Sequence, residues 1–138
     1  RMELAVETES QVTPANNPLM IEQIYSQPEK VSLTDFFRVA SLYRPGTDQY
    51  REVYEIAAYT YPSCAVAQLN AAAAALSQGD KEAARYFFNQ IEADQRAYNN
   101  LGVLSLMDGD KEAAATYFRK YLPQNPRLVR ENLRLLNE

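Results

Sequence analysis

"GDKEAARYFF", residues 79–88, and "GDKEAAATYF", residues 109–118, decide how this 138-residue chain is read. Six residues, Gly-Asp-Lys-Glu-Ala-Ala, recur unchanged thirty positions apart, and an aromatic pair closes each copy: Phe87-Phe88 and Tyr117-Phe118. The apolar positions of the first copy are Ala83, Ala84, Phe87, Phe88 and Ile91. Those of the second are Ala113, Ala114, Tyr117, Phe118, Tyr121 and Leu122. Steps of one, three and four residues place each set on one face of an α-helix. Glycine takes the left-handed conformation that ends a helix, and aspartate accepts a hydrogen bond from a free N–H of the next helix's first turn. Gly79-Asp80 and Gly109-Asp110 are therefore expected to be tight turns between two helices.

The segments upstream of the turns share the period. Residues 64–78 and 95–108 are both helix-compatible, and the thirty-residue offset aligns Asn70 with Asn100 and Leu76 with Leu106. The repeating unit is thus a helical hairpin. Further upstream, "VSLTDFFRVASLY" starts with Ser32 as N-cap and Asp35 three residues on, with Val31 and Phe36 placed as a hydrophobic staple. "RPGTDQ" breaks that helix, and Tyr50, Val53, Tyr54, Ala57, Ala58 and Tyr61 share one side of the next. Downstream, Asn125-Pro126 reads as a cap and first-turn proline, followed by the stripe Leu128, Val129, Leu133 and Leu136 of a capping helix. The expected plan is all-α, with hairpins at about 32–62, 63–92 and 94–122 and a capping helix at about 126–137. Residues 1–31 form an N-terminal extension. Within it Met2, Leu4 and Val6 alternate with Glu3, Ala5 and Glu7, a strand-like period, and a short helix is expected from Pro18. A strand without partners cannot stand alone, so this stretch pairs with something outside the sequence or is an ordered tail.

Residues 97–126, "AYNNLGVLSLMDGDKEAAATYFRKYLPQNP", resemble a tetratricopeptide repeat, whose pattern is W-x2-L-G-x2-Y, then A-x3-F, then P. Tyr98 takes the Trp slot, Leu101-Gly102 match the Leu-Gly pair, Ala114 and Phe118 match A-x3-F, and Pro126 falls in the proline slot; Ser105 replaces the Tyr. The unit before it matches through Ala72, Ala84 and Phe88, with Arg96 in the proline slot. Tyr54 and Pro62 keep the Phe-to-Pro spacing in a third, more diverged unit. The resemblance implies a short right-handed solenoid in which small residues such as Gly102 and Ala114 let helices approach while Phe118 fills the space beside them. It also implies a concave surface made by the first helix of each hairpin. Carried onto this chain, that surface comprises Leu69, Asn70, Ala73, Leu76, Asn99, Asn100, Val103, Leu106 and Met107. A side-chain amide holds a peptide backbone by donor and acceptor together. The alternative assignment for the same residues is local capping and packing between hairpins. Members of the family that grip a terminal carboxylate do so with several Lys and Arg on these helices; residues 64–78 have none and residues 95–108 only Arg96, which argues against that use. "RMEL", residues 1–4, distantly resembles the closing strand of OmpA-like peptidoglycan-binding domains.

The remaining residues exclude more than they assign. There is no histidine, which removes Ser-His and Cys-His nucleophile systems and the commonest transition-metal ligand. The single Cys64 has no adjacent cation and reads as a small apolar residue in a helix; the four glycines are isolated, so no phosphate loop exists. Carboxylates such as Glu82 and Glu112 sit at helix starts, where they favour the dipole. Tyr50, Tyr54, Tyr61, Tyr117 and Tyr121 fall on core stripes. The residues imply no metal and no cofactor. With a formal charge of −4, and with Arg127, Arg130 and Arg134 on the solvent side of the last helix, nucleic acid is not an expected partner. No run approaches the eighteen apolar residues of a membrane span. Arg1 in first place suggests a fragment or mature form, with any targeting signal outside it. The expected function is a non-catalytic protein-interaction scaffold that binds a peptide or partner protein. The alternative is a spacer or assembly domain of a larger bacterial cell-envelope protein without a ligand groove. The periplasm or outer envelope is the expected compartment, the cytoplasm the alternative.

Overall fold

A computed structural model describes residues 4–9, 11–91 and 93–138. Their regular elements are helices α1 (Pro18–Ser26), α2 (Leu33–Ala40), α3 (Asp48–Thr60), α4 (Ala65–Ser77), α5 (Lys81–Phe88), α6 (Tyr98–Met107), α7 (Lys111–Tyr121) and α8 (Pro126–Leu136). Single 3₁₀ turns lie at Pro28–Lys30 and Gln95–Ala97. No strand occurs among the described residues, and the architecture is all-α. Of the strand-like stretch at the N-terminus, Arg1, Met2 and Glu3 lie outside the described residues, and residues 4–9 belong to no helix or strand. The chain divides into two compact units, one of residues 8–91 and one of residues 1–7 with 92–138.

In the unit of residues 8–91, α2 packs on α3, α3 on α4 and α4 on α5. The starts of α2, α3 and α5 are capped locally. Ser32 Oγ accepts from the Asp35 N–H, Thr47 Oγ1 from Tyr50 and Asp80 Oδ1 from Ala83. These are the side-chain caps that leave fewer orphan donors in a first turn. The α4–α5 turn closes at Gly79, whose φ of +74° is left-handed, while the Asp80 N–H reaches the Ala75 carbonyl at 2.9 Å. Every residue of α4 from Ala67 to Leu76 is buried. A helix apolar all round must be covered on more than one side. Here α3 and α5 cover two sides, and Asn70 bonds the chain's own residue 9 on another. The alanines at 71–75 let those neighbours approach closely.

In the unit of residues 1–7 and 92–138, α6 and α7 form the third hairpin and α8 packs on α7. Gly109 repeats the device of Gly79 with φ +83°, and Asp110 Oδ1 caps α7 through the Ala113 N–H. The closest approach is at Gly102, where a Cβ would fall 2.5 Å from Phe118 Cε1 and 3.1 Å from the Ala114 carbonyl oxygen. The small-residue packing expected from the motif is therefore present. Asn125 Oδ1 caps α8 by accepting from the Leu128 N–H, and Pro126 follows as its first residue.

Some local expectations need correction. The helix expected from residue 95 begins as a 3₁₀ turn, because Asp94 Oδ1 accepts from the Arg96 N–H and tightens the chain before Tyr98. Cys64 stands at the N-cap position of α4 rather than inside the helix. Tyr61 and Tyr117 are half-buried rather than core. The Tyr61 hydroxyl donates to the Val31 carbonyl, and Tyr117 stacks on Tyr98 at 6.1 Å, with the Lys120 ammonium over both rings. Each ring thus keeps its polar edge near water and its face on a neighbour.

Candidate peptide-holding site

Helices α4 and α6 carry asparagines that bond the chain's own N-terminal residues. In the unit of residues 8–91, Asn70 on α4 is 1% exposed. Its Oδ1 accepts from the Glu9 N–H at 3.1 Å and its Nδ2 donates to the Glu9 carbonyl at 2.9 Å. One carboxamide so satisfies both polar groups of one residue, as the neighbouring strand of a sheet would. Tyr54 lies beside this contact. Burial pushes its phenol up to about 12, the Asn70 hydrogen bond opposes that, and the Glu9 charge adds to it. Residues further along the segment are also held, since the Ala15 N–H donates to the Arg38 carbonyl and Arg38 Nε to the Thr13 carbonyl. A cavity of about 150 Å³ is lined by Glu9, Gln11, Val12, Phe37 and Val66. Gln68, also buried, serves the fold instead: its Nε2 donates to the Ala58 and Pro62 carbonyls and ties α4 to the end of α3.

In the unit of residues 1–7 and 92–138 the same grip occurs at two alternate residues. Asn100 Oδ1 accepts from the Glu7 N–H and its Nδ2 donates to the Glu7 carbonyl, both at 2.9 Å. Asn132 on α8 does the same for Ala5, at 2.9 Å to the N–H and 3.0 Å to the carbonyl. Asn99 supports it, donating to the Ala5 carbonyl at 3.0 Å and accepting from Asn132 Nδ2 at 2.8 Å. Asn99 and Asn132 are 0% exposed and Asn100 2%. Such buried amides are tolerable only because donor and acceptor are both used. Glu7 is held by its side chain as well, since Asn125 Nδ2 donates to Glu7 Oε2 at 2.6 Å. Within this unit the contacts at residues 5 and 7 have the two-residue period of an extended chain.

Of the nine residues expected on a binding surface, Asn70, Asn99 and Asn100 make these contacts. Leu69, Ala73, Leu76 and Val103 are buried in their own units, and Leu106 and Met107 are half-buried. Asn125 is legible in sequence as a cap but not as a contact to Glu7, and neither Asn132 nor the segment they hold is legible there. The signal for Asn132 was a polar residue inside the apolar stripe of α8, three positions after Val129 and four before Leu136. The grip is uncharged. α4 and α6 carry no Lys or Arg, and Arg96 is engaged with Asp94 at 2.8 Å, which holds that carboxyl below its ordinary value. Among the described residues no group of three or more Cys, Asp or Glu could hold a metal ion. No helix among them is long and apolar enough to cross a membrane.

Neither the curated proteins nor the solved structures give a match to this chain. The family model of the tetratricopeptide repeat matches at two adjacent positions, residues 51–96 and 92–128. Those matches take in the Gly79-Asp80 and Gly109-Asp110 turns, the Gly102–Phe118 contact, and four of the asparagines that hold the N-terminal residues. They extend over more than half of the sequence, and the chain belongs to the tetratricopeptide repeat family.

Proposed function

We propose that this chain is a protein-interaction scaffold whose buried asparagines on α4, α6 and α8 hold an extended peptide segment by its backbone. Tetratricopeptide repeats generally mediate protein–protein interaction or scaffolding, and the family is typically non-catalytic. One observation carries the finer reading. Within the unit of residues 1–7 and 92–138, Asn100 and Asn132 each take both the N–H and the carbonyl of one residue in an extended segment, the chain's own Glu7 and Ala5, and within the other unit Asn70 does the same for Glu9. Such a grip reads backbone and leaves most side chains free, so a segment from another protein meets the same demand.

The experiment disables the resident segment in the full chain with Ala5→Pro and Glu7→Pro, which removes the two N–H donors. A labelled synthetic peptide of residues 1–13 is then titrated by fluorescence anisotropy. The double variant should bind it, and the wild type at least tenfold more weakly because its own segment competes at high effective concentration. A double variant that keeps its helical circular dichroism yet binds no peptide refutes the reading.

A second reading is favoured by one observation: the seat is filled by the chain itself, and Leu69, Ala73, Leu76 and Val103 are already buried. On that reading the segment is a permanent brace, and the chain is a spacer or assembly element of a larger protein. A cell-envelope setting belongs to this second reading and rests on the "RMEL" resemblance, the strand-like N-terminal stretch and the sparing use of cysteine.

A further inference from the structure

Glu7 is gripped by both its backbone and its side chain, and the second contact is directional. Asn125 Oδ1 is committed to the Leu128 N–H as the cap of α8, at 3.2 Å. That fixes which way its carboxamide faces, so only the Nδ2 donor is turned to the segment, 2.6 Å from Glu7 Oε2. A donor with no acceptor beside it favours an acceptor, most strongly a charged one. The setting agrees. Asn125 is the N-cap of an eleven-residue helix with no acidic residue in its first turn, and the free N–H groups there favour negative charge. Nothing comparable reads residue 5, whose side chain is exposed while Asn99 and Asn132 hold its backbone.

We infer that the seat in the unit of residues 92–138 is selective. It takes an extended segment of a partner protein that offers free backbone N–H groups at two alternate residues and a carboxylate on the second. The inference rests on the peptide-holding function proposed above and adds the side-chain chemistry of the ligand. The resident Ala5-Val6-Glu7 is the seated example, with Ala5 bonded by Asn132 and Glu7 by Asn100 and Asn125.

The test uses the full-length Ala5→Pro, Glu7→Pro chain and synthetic peptides of residues 1–13. The peptide with Glu7→Ala should bind about five- to tenfold more weakly than the natural one, and that with Glu7→Gln should fall between them. Methylating the backbone nitrogen of Glu7 should weaken binding at least tenfold, whereas methylating that of Val6 should change it little. Equal binding of the natural and Glu7→Ala peptides overturns the selectivity while leaving the peptide-holding function intact; absence of any binding by the folded variant removes both. Wild-type dimers in which labelled residues 4–9 exchange between copies overturn the partner assignment, the occupant then being a second copy. A measurement that needs no proline variant is hydrogen exchange on full-length Asn125→Asp, which keeps the cap but sets a carboxylate against Glu7. The Glu7 amide should exchange at least tenfold faster and the Val6 amide at its old rate. An unchanged Glu7 amide overturns the inference.

Discussion

Gly102→Ala separates packing from propensity. Alanine is the better helix former, so in an open helix the substitution would stabilise by about 0.5–1 kcal/mol. At Gly102 the new methyl would meet Phe118 Cε1 at 2.5 Å, Phe118 Cδ1 at 2.6 Å and the Ala114 carbonyl oxygen at 3.1 Å. Phe118 is fully buried and cannot swing into solvent, and the carbonyl belongs to the α7 backbone. Overpacking of this kind costs about 1–3 kcal/mol, which outweighs the propensity gain. The expected net loss is roughly 0.5–2 kcal/mol, a fall in Tm of roughly 2–6 °C for a chain of this size. Phe118→Leu alone should also destabilise, by leaving space. Combined with Gly102→Ala it should cost less than the two singles together, with a coupling of about 1 kcal/mol in a double-mutant cycle. Thermal melts followed by circular dichroism supply all four corners. Because Asn99 and Asn100 ride on the same helix, Gly102→Ala should also speed exchange of the Glu7 amide. A Gly102→Ala protein as stable as wild type, or a cycle that is additive, refutes the close-approach argument.

Asn132→Leu should lower stability by about 1–3 kcal/mol, read as a fall in urea midpoint at constant m, because it frees the Ala5 N–H and strands Asn99 Oδ1 inside the unit. A gain, as expected for filling an apolar stripe, would contradict the grip. The Arg51 hydrogen bond, and after it the Ala83 N–H, hold the Asp80 carboxyl below its ordinary 3.8. A depressed folded value means stability that is present above about pH 4 and lost as pH falls through the folded value. Asp80→Asn should therefore cost up to about 1 kcal/mol at pH 7, discounted because the carboxylate is 40% exposed, and converge with wild type once the pH has fallen through the folded value. A cost independent of pH would oppose this. Tyr54 runs the other way. Its folded value is raised to about 12, so its contribution is full below about pH 10 and is lost as pH rises through 12. Tyr54→Phe should flatten the alkaline loss of stability between those values; an unchanged alkaline limb in urea titrations would count against it.

How far the sequence could be read depended on the range of the physics involved. Gly79, Asp80, Gly109 and Asp110 were legible because a left-handed turn and a cap act within four residues. Gly102 and Phe118 are sixteen residues apart, yet the repeat pattern encodes their contact. Asn70 and Asn100 stood out because the duplication aligns them. Asn132 follows Asn100 by thirty-two positions rather than thirty, so the offset that flagged the others missed it. The 3₁₀ turn at Gln95–Ala97 depends on one Asp94 contact, which periodicity does not register. The resident segment was hardest of all, since its bonds join residues 127, 93 and 61 positions apart.

Where the structure describes it, at residues 4–7, the alternation nevertheless held correct information. A two-residue period states that the backbone offers its polar groups at alternate residues, without saying what accepts them. A sheet answers with another strand, whose N–H and carbonyl groups come at every second residue and whose register is set along its whole length. Here the answer comes from isolated carboxamides, and their positions on the helices set the register. An extended segment therefore reads as a strand in sequence and belongs to no strand in the fold. Since each carboxamide needs only one N–H and one carbonyl, proline is the substitution such a segment tolerates least at residues 5, 7 and 9. The side-chain demand falls where Asn125 adds a donor, at Glu7.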